Sequence, residues 1–171
     1  RQRLLTEAQR RAMELQTASE ITRDTTSTLA LDLILERIVN SLITRFGFYF
    51  ASIFFIDESE RYAVVQEASG EAGNAIKQSK YKVQRNRKSI VGTTALTGEA
   101  VVANDVSLHP SFLPHPLLPE TRSELSLPLR QGQVIIGVLD IHSNRVNAFS
   151  PDDVNVLQLL ADQIAVAIEN A

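Results

Sequence analysis

The chain has 171 residues, 44% hydrophobic and 22% charged, with a formal net charge of -3. That length suits one domain with a real core plus an extension, and the slight acidity offers no general attraction to nucleic acid or acidic membranes. The absence of cysteine excludes disulfides, cysteine-type zinc sites, thiol catalysis and thioether-linked pigments.

No apolar run approaches the roughly 18 residues that span a bilayer. The chain opens at Arg1 in a charged, helix-like segment rather than a signal peptide. It lacks an initiator Met and stops at Ala171 within a helical pattern, so it reads as a piece of a longer protein, with the cytoplasm as default compartment.

Residues 1–28 read as an N-terminal signalling helix and linker. Leu5, Ala8, Ala12, Leu15, Ser19 and Thr22 keep spacings of 3, 4, 3, 4 and 3, a heptad seam that turns polar towards its end. The next helix is predicted to start at Thr28 as N-cap. Its apolar face is Leu31, Ile34, Leu35, Ile38, Val39, Leu42, Ile43 and Phe46, and Gly47 stops it.

FYFASIFFID, Phe48 to Asp57, is aromatic and β-branched and predicts a central strand. ESER then turns the chain into a partner strand from Tyr62 to about Ala68. Gly70 and Gly73 loosen the chain before a short helix near Ala75 to Ser79. Tyr81 to Gln84 reads as an edge strand, Ser89 to Thr97 as a helix closed by Gly98, and Val101 to Asp105 as a further strand. The segment from Ser107 holds four prolines in 16 residues and must be irregular. SELSLPLR, QGQ and VIIGVLDIHS then predict an antiparallel hairpin, followed by a helix to the chain end. Strands flanked by helices at both ends imply an α+β domain on one antiparallel sheet.

Four segments carry a family resemblance. ILERIVNSLITRFGFYFASIFFID, KSIVGTTALTGEAVVANDV, SELSLPLRQGQVIIGVLDIHS and AFSPDDVNVLQLLADQIAVAIENA resemble, in order, the first helix and strand, the Gly-punctuated helix and "ND" strand, the final hairpin and the terminal helix of a GAF domain. This is a sensor module related to PAS domains, and the resemblance spans about residues 29–171. It implies a central antiparallel sheet of five to six strands, with the N- and C-terminal helices on one face and short helices and loops on the other. It also implies a small-molecule pocket on that second face and an output domain elsewhere in the protein, such as a histidine kinase of a two-component system, a diguanylate cyclase or a phosphodiesterase.

Members of the family bind cyclic nucleotides, tetrapyrroles, haem or small metabolites. In the cyclic-nucleotide pattern, Asn144 and Arg145 stand at its Asn-Lys pair and Phe149 and Asp153 fit the next two positions, but Val154 replaces its Glu. A structural account competes: Phe149 as a hydrophobic staple, Ser150 and Asp153 as a capping box, and Pro151 in the first turn. Covalent bilin attachment and the family's methionine sulfoxide reductase chemistry need cysteines that are absent. Haem could use His109, His115 or His142, but these are unclustered in sequence and read as surface or hydrogen-bonded residues, with no metal-ligand spacing. No nucleophile elbow, phosphate loop or dinucleotide fingerprint is present, so no catalytic residue is expected.

Six cations lie between Lys77 and Lys88 (Lys77, Lys80, Lys82, Arg85, Arg87, Lys88), with no acid between Glu71 and Glu99. They read as a solvated sheet edge rather than an anion patch. In the last helix Val154, Leu157, Ala161, Ile164, Ile168 and Ala171 again keep 3-4-3-4-3 spacing, and Leu159, Leu160, Ala165, Val166 and Ala167 are apolar on other faces. Two apolar stripes call for two partners, so a homodimer is expected through Leu5, Ala8, Ala12, Leu15, Val154, Leu157, Ala161, Ile164 and Ile168. The expected pocket lining is Phe55, Ile90, Val91, Asp105, His109, Phe112 and Ser126. The functional expectation is a sensory domain that relays a ligand-dependent shift through its end helices; the rival is a ligand-free dimerisation and relay module.

Overall fold

The structure is a computed structural model that describes residues 8–11 and 27–171. Residues 8–11 are helical. Leu5, Ala12 and Leu15, named above for a dimer seam, lie outside the described residues.

Helix α1 runs Ser27–Thr44 and is followed by strands β1 (Phe50–Ile56) and β2 (Tyr62–Ala68), helix α2 (Gly70–Gln78), edge strand β3 (Lys82–Gln84) and helix α3 (Ile90–Thr97). Strand β4 (Val101–Ala103), a 3-10 turn at Val106–Leu108, hairpin strands β5 (Ser123–Gln131) and β6 (Val134–Ser143), and helix α4 (Pro151–Glu169) complete the chain. The six strands form one sheet in the order β3-β2-β1-β6-β5-β4, with antiparallel pairing throughout. The fold is α+β, with β1 and β6 at its centre.

Alternation of side chains along the strands separates two cores. Ala51 and Ile53 of β1, Leu125, Leu127 and Leu129 of β5, and Leu139 and Ile141 of β6 point to one face. There they meet Leu35, Val39 and Leu42 of α1 and Leu157, Ala161 and Ile164 of α4. The intervening residues Phe50, Phe54 and Val138 point the other way, to a second core with Ile76, Val83, Val91 and Leu118. Both faces of the central strands are thus covered, which explains their dense apolar runs.

Local chemistry sets the ends of the helices. Ser150 accepts from the Asp153 amide at 3.1 Å while the Asp153 carboxylate accepts from the Ser150 amide at 3.1 Å, with Pro151 in the first turn. Ser89 caps α3 by accepting from the Gly92 amide, and Gly98 closes it at φ 73°. Gly92 is needed for another reason: a Cβ there would fall inside contact distance of the Gln84 and Asn86 carbonyl oxygens. The helix therefore sits directly on the β3 backbone.

Several expectations are corrected. Thr28 lies within the first turn of α1 rather than capping it, and Phe46 is exposed beyond the helix end. The second helix begins at Gly70, and Gly73 is inside it. Gly73 is there because a Cβ would crowd the Ala68 backbone. Leu157, Ala161 and Ile164, assigned to a dimer seam, are buried against the chain's own sheet, and Val154 and Ile168 pack beside them. The heptad stripe of α4 is its intramolecular face; the apolar residues it exposes are Val156, Leu159 and Val166.

Candidate functional site

On the pocket face, the registers of β1, β5 and β6 align two cross-strand rows. Phe50 pairs with His142 and His142 with Glu124; Ser52 pairs with Asp140 and Asp140 with Ser126. Because side chains two apart on a strand share a face, Glu124, Asp140 and His142 converge. His142 Nε2 lies 2.7 Å from Asp140 Oδ2 and 3.4 Å from Glu124 Oε2. All three residues are buried.

The other ring nitrogen of His142, Nδ1, is 2.8 Å from Thr121 Oγ1, and that hydroxyl donates to the Leu118 carbonyl at 3.2 Å. Both bonds form together only if Nδ1 carries a hydrogen, because the carbonyl can only accept. The Phe50 ring meets the imidazole edge-on at 5.5 Å between centroids. Asp140 Oδ1, Ser52 Oγ and Ser126 Oγ have no hydrogen-bond partner among the described residues. Unpaired groups this deeply buried are uncommon and call for an explanation.

The charges are mutually dependent. Burial alone would lower the His142 pKa, but the carboxylates of Glu124 and Asp140 outweigh it and push it up to about 10. Burial pushes Glu124 up, yet the adjacent His142 charge and hydrogen bond hold it below its ordinary value. Burial and the Glu124 charge hold Asp140 well above the usual carboxylate range, against the pull of His142. The consistent state of the cluster is an imidazolium, an ionised Glu124 and a protonated Asp140, with no net charge.

A cavity of about 40 Å³ adjoins this cluster. Phe50, Ser52, Phe54, Glu124, Asp140 and His142 form its floor, Ile90 and Val91 of α3 one wall, and Tyr81 and Val83 another. Leu113, His115 and Leu118 of the proline-rich loop cover it. The His115 ring meets Tyr81 edge-on at 4.9 Å, and Thr121 ties the end of the loop to His142. At its start the loop is latched to the α4 junction, where Asn104 bonds both backbone groups of Phe149 at 2.9 and 3.0 Å. Of the residues expected to line a pocket, Ile90 and Val91 are in the wall of this cavity.

The other expected lining residues are not. Phe55 sits on the opposite face, against the helical core, and Phe54 takes its place. Asp105 caps the 3-10 turn by accepting from Ser107. His109 accepts from the Ser111 amide, and Phe112 packs on Ile90, Ala103 and Val106. Ser126 is buried beside Asp140 but outside the cavity wall. His142 is no isolated histidine. Its cluster with Glu124 and Asp140 went unseen because it joins two strands; the one local signal was Asp140-x-His142, two acid-base groups at strand spacing. Phe149 is buried and Asp153 is engaged in its capping box, so these cyclic-nucleotide positions serve the fold. Within the basic run, Lys77 pairs with Glu67 at 3.1 Å and Arg85 donates to Ala95 and Glu60 carbonyls.

No helix among the described residues is long and apolar enough to cross a membrane. No curated protein sequence matches the chain. Solved structures do. A GAF domain region from Geobacter sulfurreducens PCA is 26% identical, with 84% of this chain and 96% of that one covered and a TM-score of 0.70. The GAF domain of an Acinetobacter phosphoenolpyruvate-protein phosphotransferase is 20% identical over 100% of this chain and 95% of that one, with a TM-score of 0.77. Free methionine-R-sulfoxide reductase from Neisseria meningitidis, in complex with its substrate, is 23% identical, covering 91% and 86%, with a TM-score of 0.71. The fold thus occurs both as a domain of a phosphoenolpyruvate-protein phosphotransferase and as a free methionine-R-sulfoxide reductase. The GAF domain family matches residues 28–169, and the chain belongs to that family.

Proposed function

We propose that this GAF domain is a sensory or regulatory module that takes a small ligand between its sheet and the proline-rich loop, and passes the change to a covalently linked output domain. The observation that carries this reading is Asp140 Oδ1, a buried polar atom without a partner, beside a cavity capped by a loop. The loop is held to the cluster by Thr121 and to the α4 junction by Asn104. Ligand contacts at the cluster would favour one packing of the loop, and the loop's latch would carry that preference to α4. A phosphoenolpyruvate-protein phosphotransferase contains a GAF domain of this fold, which supports a regulatory place within a larger protein. With no cysteine in the chain, the role is binding rather than thiol catalysis.

Thermal denaturation against a panel of ions and small metabolites tests this. A ligand at 100 times its Kd stabilises by about 2.7 kcal/mol, a rise of roughly 5–11 °C for a domain of this size. A uniformly flat panel would contradict sensing.

A ligand-free dimerisation and relay module is the second reading. It is favoured by the small cavity, far below the roughly 300–1,000 Å³ typical of small-molecule pockets. The exposed Leu29 and Leu33 of α1 and Val156, Leu159 and Val166 of α4 also favour it, as apolar surface suited to a second copy.

A further inference from the structure

We propose that Glu124, Asp140 and His142 form a binding site for one divalent transition-metal ion of the Mn²⁺ to Zn²⁺ group. This deepens the sensing reading above and rests on it. One oxygen from each carboxylate and one ring nitrogen all lie within 4.8 Å of one another. Two of the edges are 2.7 and 3.4 Å. Ligands held at about 2.0–2.2 Å from a common ion stand roughly 3.0–3.4 Å apart, so small side-chain adjustments suffice.

The donor set is also chemically specific. Once the ion displaces the protons on His142 Nε2 and Asp140 to solvent, two carboxylates match its charge, and an imidazole favours Mn²⁺, Fe²⁺, Co²⁺ or Zn²⁺ over Mg²⁺ or Ca²⁺. The Nδ1–H bond to Thr121, itself anchored on Leu118, orients the ring so that Nε2 faces both carboxylates. Such an outer hydrogen bond is the usual support of a ligating histidine.

The second, independent observation is the unpartnered Asp140 Oδ1, in a residue only 2% exposed, with unpartnered Ser52 Oγ next to it on the cavity floor. The cavity of about 40 Å³ has room for an ion with two or three waters. It is too small for a nucleotide or a haem without opening of the loop. Because Thr121 and Leu118 belong to that loop, an ion at Nε2 would brace the cover of the pocket.

The experiment uses the whole 171-residue chain, freed of metal with a chelator and titrated calorimetrically with Zn²⁺, Co²⁺ and Mn²⁺ salts. One ion per chain is expected, with Co²⁺ showing nitrogen- and oxygen-ligand absorption bands. Glu124→Gln, Asp140→Asn and His142→Gln should each weaken binding at least tenfold, and Thr121→Val should weaken it about 10- to 100-fold. Should a variant fail to fold, Mn²⁺ added to the unaltered protein must selectively broaden the NMR signals of Thr121, Asp140 and His142. Absence of binding below about 1 mM, binding unchanged in the folded variants, or broadening elsewhere would each overturn the site. A metabolite that stabilises the protein while metals do not would sink the metal inference and leave the sensing reading intact.

Discussion

His142 is the residue on which the pocket's electrostatics turn. It sits 7% exposed between two carboxylates, and removing its charge leaves Glu124 buried without a counter-ion. Breaking a buried ion pair from one side costs about 3–5 kcal/mol. His142→Leu should therefore lower the urea-unfolding free energy by that amount. Replacing Glu124 and Asp140 by Leu in the same background should recover part of it.

The pH dependence of the chelated, metal-free protein has a definite sign. His142 has an ordinary pKa of 6.5 and reaches about 10 in the fold, so its stabilisation is complete below about 6.5 and lost as pH climbs to 10. Asp140, raised from 3.8, likewise loses its contribution as pH rises. Glu124, lowered from 4.5, contributes above that value and loses it in acid. Stability should peak in mildly acidic solution and fall towards pH 10. His142→Gln should flatten the alkaline limb, whereas superimposable curves for the two proteins would refute this charge assignment.

At the scale of elements, helix α3 walls the pocket and the latched loop covers it. Gly92 lets α3 rest on the β3 backbone, and the Arg85 and Arg130 guanidinia hold its C-terminal end through the Ala95 and Gly98 carbonyls. Cations suit a helix C-terminus. Gly92→Ala overpacks this contact and should destabilise by about 1–3 kcal/mol, read as a lower melting temperature. Asn104→Ala removes the latch to Phe149 and should raise amide exchange across residues 104–122, with β1 and β6 unchanged; exchange that stays as slow as in the unaltered protein would refute the latch.

These elements differ in how legible they were. The capping box at Ser150 and Asp153, the Ser89 and Gly98 caps and the β5–β6 hairpin are local chemistry, and their boundaries follow from neighbouring residues. The pocket is not local. Phe54 rather than Phe55 faces it, because strand periodicity alone leaves the choice of face open when both faces of β1 are apolar. Glu124 joins Asp140 and His142 only through the β5–β6 register, which lies 16 and 18 residues along the chain and follows from no single segment.

At the scale of the whole molecule, one sheet divides a helical core from the face that carries the cavity, and the two are joined through the Asn104–Phe149 latch. The apolar patterning of α4 was readable as two stripes, but which stripe meets the sheet was not, since both satisfy helical spacing. With Leu157, Ala161 and Ile164 turned inward, pairing of two copies would have to use Val156, Leu159 and Val166 with Leu29 and Leu33. Leu159→Glu should then convert a dimer to a monomer in light scattering; a monomeric unaltered protein would refute this pairing.

The most direct test of the account is native mass spectrometry of the intact protein after incubation with the ion and metabolite panel. A ligand-bound pocket predicts one adduct per chain that disappears in folded His142→Gln. Spectra holding only the bare chain, or an adduct that persists in that variant, would contradict it.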